Sequence, residues 1–171
     1  LLPDVLVDEG SCDPTKDNLA AMLNNYELSG TSQVMVEPVP WEKVHLYGVV
    51  DCNGHELEPG ATAEIASMVE KPAREVAPSN QAVVGRYVLS GAIWDLLQST
   101  QPGAGGEIQL TDAIARLHST EKVEAYQLVG YSHDCGNKLG YMNACVTYGL
   151  RDPEIAEQFK AAIVEKASAY L

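Results

Sequence analysis

Chemistry is densest in the segment Met68-Val69-Glu70-Lys71-Pro72. A carboxylate that can accept from sugar hydroxyls stands beside a cation that can hold a phosphate, or the pair is simply an exposed strand end. A proline then turns the backbone away. Two carboxylates far apart in sequence add a second kind of chemistry. Asp4 follows the strand-like run Leu1-Leu2-Pro3, and Asp134 follows an expected strand after a short loop. In α/β sheets ligands gather at the carboxyl ends of strands. Two carboxylates there suit Mg²⁺, which takes a few hard oxygen ligands and keeps water and substrate phosphates in its shell. The residue types leave a turn or cap role open for Asp4 and a helix N-cap role open for Asp134. Asp8 and Glu9 read as a solvated acidic loop.

Glycines mark where a ligand can approach the backbone. Gly136 allows close approach or a tight turn beside Asp134. Gly48 would bring backbone groups against a hexose ring or, alternatively, form a strand bulge. Gly105-Gly106 leads into Gln109-Leu110-Thr111-Asp112, which reads either as a phosphate cradle or as a helix cap at Thr111 or Asp112. Its spacing matches neither the phosphate-loop nor the dinucleotide fingerprint. Lys138 either adds a phosphate cation or faces solvent. His133 adjoins Asp134, but a nucleophile that is already an anionic phosphate would need no general base. His45, His55 and His118 show no ligand spacing.

The elements that position these groups alternate in type. Asp13-Pro14 suits a helix start, Leu19, Met22, Leu23 and Tyr26 recur at helical spacing, and Gly30 is a stop. Strands are predicted over 33–39, 47–51, 64–70, 82–89 and 123–129, with a hairpin-type turn at Asn53-Gly54. Helices are predicted over 92–99, 108–118 and 138–150. A last helix begins at Asp152-Pro153, with Ile155, Phe159, Ile163 and Ala167 on one face. The fold class this implies is α/β around a mixed, largely parallel sheet.

The 171 residues suffice for one domain with a real core, and 46% hydrophobic with 20% charged residues is a globular composition. A formal net charge of -13 argues against nonspecific nucleic-acid binding, which needs a basic face. No apolar run approaches the roughly 20 residues of a membrane-spanning helix, and no signal peptide is visible. Cys12, Cys52, Cys135 and Cys145 lack zinc-type spacing and read as reduced thiols of a cytoplasmic protein. The chain opens on Leu1-Leu2-Pro3-Asp4 with no initiator methionine, which suggests the C-terminal part of a longer protein.

Taken in order, Leu1-Leu2-Pro3-Asp4-Val5, Val69-Glu70-Lys71-Pro72, Gly85-Arg86-Tyr87-Val88-Leu89-Ser90, Gly105-Gly106-Glu107-Ile108-Gln109-Leu110-Thr111-Asp112 and the stretch Ser132 to Tyr141 resemble the bacterial sugar-nucleotide pyrophosphorylases. Among them, the resemblance is strongest to the UTP–glucose-1-phosphate uridylyltransferases. It covers roughly residues 1–150, as the C-terminal part of a catalytic domain, with 151–171 as a C-terminal helix. It implies a Rossmann-like nucleotidyltransferase fold. The reaction implied is UTP plus glucose 1-phosphate giving UDP-glucose plus pyrophosphate, with Mg²⁺ as cofactor. By that resemblance Asp4 and Asp134 hold the metal, Lys71 the hexose phosphate and Glu70 the sugar, and Glu107 shapes the hexose pocket. The family's glycine-rich, basic nucleotide loop has no counterpart in these residues, so the segment alone is expected to be inactive. The alternatives are a relative using another nucleotide or hexose 1-phosphate, and a non-catalytic regulatory paralogue. Retention of Asp4, Lys71 and Asp134 argues against the regulator. The apolar face of the last helix fits a homo-oligomer or plain core packing.

Overall fold

The computed structural model describes residues 4–10 and 17–170. The predicted strand end at Leu1-Leu2-Pro3, the helix start at Asp13-Pro14, and Cys12 lie outside the described residues. The chain forms two compact units, Glu9–Tyr131 being one and β1 (Val5–Asp8) with Ser132 onward the other. The sequence-based division at residue 150 differs from this grouping. Helix α5 (Ala156–Ser168) packs on α4 (Lys138–Arg151), where the Phe159 ring lies directly over Gly149.

In the first unit, α1 (Asn18–Ser29) starts where the Asp17 side chain accepts from the Ala20 N–H at 2.6 Å. It stops at Gly30, whose φ of 69° only glycine adopts cheaply, as expected. Of its apolar repeat, only Met22 is fully buried. Six strands follow: β2 (Ser32–Pro38), β3 (Gly48–Asp51), β4 (Thr62–Glu64), β5 (Ser67–Glu70), β6 (Gln81–Val88) and β7 (Val123–Gln127). Their order in the sheet is β4-β7-β2-β6-β3-β5. The sheet is mixed, but it is not largely parallel. Only β2–β7 pair in parallel, and the other four pairings are antiparallel. The connections β2–β3 and β5–β6 carry 3₁₀ turns at Trp41–Leu46 and Arg74–Val76, and each skips one strand of the sheet, β6 and β3 respectively.

The strand predicted over 64–70 is two strands on opposite edges of the sheet. Ile65 donates its N–H to Val123 O and Ala66 donates to Asp51 O, so two residues bridge both edges and the sheet curls. Central β2 is buried from Ser32 to Val36, as a strand covered on both faces must be. Helix α3 (Leu110–His118) presents Ala113, Ile114 and Leu117 to the core formed by Val34, Val36, Val50 and Ala125. Burying a side chain such as Leu117 contributes about 1.5–3 kcal/mol. Arg116, on its outer side, donates to Leu96 O and Ser99 Oγ, tying it to α2 (Ile93–Ser99). Asn18, 1% exposed, donates to Glu9 Oε1 at 2.7 Å and exchanges hydrogen bonds with the Val129 backbone. Glu9 is therefore a structural acceptor and not part of a solvated loop.

The second unit pairs β1 with β8 (Tyr131–Asp134) in a two-stranded ribbon and adds α4 and α5. Strand β8 replaces the predicted loop before Asp134. Among the described residues, no helix is long and apolar enough to cross a membrane.

Candidate functional site

In the first unit, β3 and β5 pair so that Gly48 stands directly opposite Glu70. There is no bulge at Gly48. A Cβ built there would lie 3.0 Å from Thr111 Oγ1 and 3.1 Å from Glu70 Oε2. Glycine thus lets two oxygens, one from the edge strand and one from the first turn of α3, close over bare backbone. Lys71 follows at once with φ 46°, a left-handed conformation that is rare outside glycine. Its N–H donates to Tyr47 O at 3.0 Å, which holds the turn. Its Nζ lies 3.6 Å from Glu70 Oε1, and its side chain is half exposed while that of Glu70 is nearly buried. Such outliers persist where surrounding structure over-determines them, and they cluster at ligand sites. Burial raises the Tyr87 phenol above its ordinary range, the Glu70 charge adds to this and Arg86 opposes it. Tyr87 therefore stays a neutral hydrogen-bonding group.

Glu107 is the residue expected to shape the hexose pocket. It is exposed on the loop before α3, and the three atoms nearest the Gly48 position belong to Thr111 and Glu70. The glycine loop forms a 3₁₀ turn, Ala104–Gly106, closed by a Gly103 N–H bond to Glu107 O, with the Asp112 carboxylate folded over Gly103. No side-chain cap forms at the start of α3. Thr111 and Tyr87 are the groups that reading the sequence missed. Both stood in stretches already singled out, but only pairing and packing place them near Glu70.

In the second unit, Asp4 immediately precedes β1. Asp134 ends β8. Cys135 donates its N–H to Asp4 O at 2.7 Å, and Gly136 donates to Asp134 Oδ1 at 3.0 Å. A Cβ at Gly136 would meet Asp4 Oδ2 at 2.9 Å and Asp134 Oδ1 at 3.1 Å. The helix-cap role belongs to Asn137, whose side chain accepts from Gly140 N–H at 2.7 Å, which leaves the Asp134 carboxylate facing Asp4. Lys138 is exposed in the first turn of α4. Two hard carboxylates converging over a glycine fit a cation that takes one or two protein ligands and completes its shell with water and phosphate. Among the described residues, no group of three or more His, Cys, Asp or Glu forms a closed metal cage. His133 is buried and lies 3.8 Å from Asp8, away from a base's role.

Residues 10–149 match the nucleotidyl transferase family. The chain belongs to this family. It is 56% identical over 166 residues to a UTP–glucose-1-phosphate uridylyltransferase of Escherichia coli (strain K12), which covers 97% of this chain and 54% of that protein. A UTP-bound UGPase from Acinetobacter baumannii superposes with a TM-score of 0.83 at 45% identity, covering 96% of this chain and 55% of that one. A UDP-glucose pyrophosphorylase complexed with UDP-glucose superposes with a TM-score of 0.70 at 42% identity, covering 77% and 48%. The chain spans about half the length of the curated relatives it matches. Within this nucleotidyl transferase, Gly48, Glu70 and Lys71 form one constellation, and Asp4, Asp134 and Gly136 form another in the other unit.

Proposed function

We propose that this chain contributes to uridylyl transfer from UTP to glucose 1-phosphate, forming UDP-glucose and pyrophosphate. The reading is carried by one observation above all. The residues expected to serve that chemistry form two local constellations of the right donors in a chain closely similar to uridylyltransferases that bind UTP and UDP-glucose. Glu70 accepts from the sugar hydroxyls, while Gly48 leaves room for the hexose and Glu107 borders it. Lys71 Nζ holds the phosphate. A phosphate oxygen attacks the α-phosphorus in line, and the bond to pyrophosphate breaks. The nucleophile is already anionic, so no side chain need take a proton, and catalysis rests on positioning and charge neutralisation. Asp4 and Asp134 are the residues that would hold Mg²⁺, which when bound neutralises charge on the transferring phosphoryl group. A cytoplasmic location and self-association complete the proposal.

The test is pyrophosphate release from UTP and glucose 1-phosphate with MgCl₂. It is measured for the chain alone and for the chain joined to the part of the Escherichia coli relative that it does not cover. The joined protein should show chelator-sensitive release, and Asp134→Asn should lower it on the order of 10²–10³-fold. Undiminished release in Asp134→Asn would overturn the assignment of that carboxylate. Preference for another triphosphate or sugar phosphate would replace the substrate. Absence of both release and glucose 1-phosphate binding would favour the regulatory paralogue.

A further inference from the structure

The most deeply buried acid in the second unit is not one of the two carboxylates at Gly136. Asp8 is 3% exposed at the end of β1. Arg151, the last residue of α4, donates from Nη1 to both of its oxygens, at 2.8 and 2.6 Å. His133 Nε2 lies 3.8 Å from the same carboxylate, and its ring is 5.9 Å from that of Tyr148, one turn before Arg151 on α4. The pair is buried on the Asp8 side while the Arg151 side chain is half exposed, and such a pair is a poor device for stability alone, since apolar packing often replaces a buried ion pair without loss. Its better-attested use is to select one register. Register is the problem here. Among the described residues β1 pairs only with β8, and a two-stranded ribbon is marginal by itself.

Asp4 and Asp8 stand at opposite ends of this short strand. A slip of one residue would displace Asp4 by about 3.3 Å. It would break the Cys135 N–H bond to Asp4 O and carry the Asp4 carboxylate away from Gly136 and Asp134. We infer that Arg151 is a positioning residue: by holding Asp8 it fixes the register of β1 on β8 and so places Asp4 against Asp134. The consequence for cation binding rests on the metal role proposed above; the register role does not.

The experiment uses the 171-residue chain, with Mn²⁺ as the probe and hydrogen exchange at the Cys135 amide as a metal-independent reading of register. Arg151→Met should lower both Cys135 protection and Mn²⁺ affinity about tenfold, as loss of an outer-shell partner does. Arg151→Lys should recover part of each. The double variant Asp8→Leu with Arg151→Met removes the buried charge altogether. It should regain thermal stability without regaining Cys135 protection or Mn²⁺ affinity. Recovery of all three in the double variant, or wild-type Cys135 protection in Arg151→Met, would overturn the inference and reduce the pair to packing. Wild-type chain that takes up no Mn²⁺, with Cys135 protection still falling in Arg151→Met, would remove the metal role and uphold the register role.

Discussion

Lys71 holds two costs in one residue, and two substitutions separate them. Its φ of 46° places a Cβ in the left-handed region, which costs roughly 1–2 kcal/mol for a residue other than glycine. Lys71→Ala keeps that strain and removes the charge, while Lys71→Gly removes both. Glycine gives back roughly 0.5–1 kcal/mol through its larger unfolded-state entropy. The ion pair with Glu70, 3.6 Å long and half exposed on the lysine side, is lost in both variants and contributes about 0–1 kcal/mol. Taking the midpoints of the two ranges, the glycine variant should therefore be more stable than the alanine variant by about 0.75 kcal/mol, or about 1.5–3 °C in Tm for a chain of this size. Both should lose a charge-assisted contact to glucose 1-phosphate of about 1.5–3 kcal/mol, a fall in affinity of roughly 10- to 150-fold. Urea unfolding and calorimetric titration with glucose 1-phosphate read the two effects independently. Equal stability of the two variants would refute the strain argument. Wild-type affinity in Lys71→Ala would refute the phosphate role.

Gly48→Ala has no left-handed φ to violate, and alanine reduces unfolded-state entropy by about 0.4–1 kcal/mol. The new methyl must push Thr111 Oγ1 and Glu70 Oε2 aside by a few tenths of an ångström, so stability should change by less than about 2 kcal/mol. Glucose 1-phosphate affinity should nevertheless fall at least about tenfold, which a titration of the folded variant checks. Cys52, 2% exposed, has its thiol pushed up to about 11 by burial and then by the charge of Asp51. The folded state then holds a proton that the unfolded state releases from its ordinary value of 9.0. The thiol's contribution is whole below pH 9 and is lost as pH rises towards 11, at up to about 1.4 kcal/mol per pH unit. Urea midpoints from pH 8 to 11 should fall more steeply for the wild type than for Cys52→Ala.

Local patterns carried much of this protein's reading. The stop of α1 at Gly30, the extents of α2, α3 and α4, and the Glu70-Lys71 pair follow from capping chemistry, periodicity and residue type, all of which act within a few positions. The family could be read from motifs in order, because those motifs keep side chains at fixed offsets along strands and turns. Strand direction could not, since parallel and antiparallel partners can present the same alternation of side chains, and four of the five pairings came out antiparallel. The break at Ile65-Ala66 was equally hidden, because it depends on which two edges the curled sheet brings near.

The same limit separates the roles of the acids. Asp4, Asp8, Glu9 and Asp134 are alike as residue types, and sequence alone made Asp8 and Glu9 a solvated pair. Tertiary packing gave Asp8 to Arg151, far along the chain on α4, and Glu9 to Asn18. It left Asp4 and Asp134 facing each other over Gly136. The amino-acid sequence by itself determined which groups could bind a sugar phosphate or a cation. Only the tertiary structure decided which carboxylate meets a guanidinium, which a buried amide and which another carboxylate, because those partners lie far apart in the chain and only folding brings them within hydrogen-bond reach.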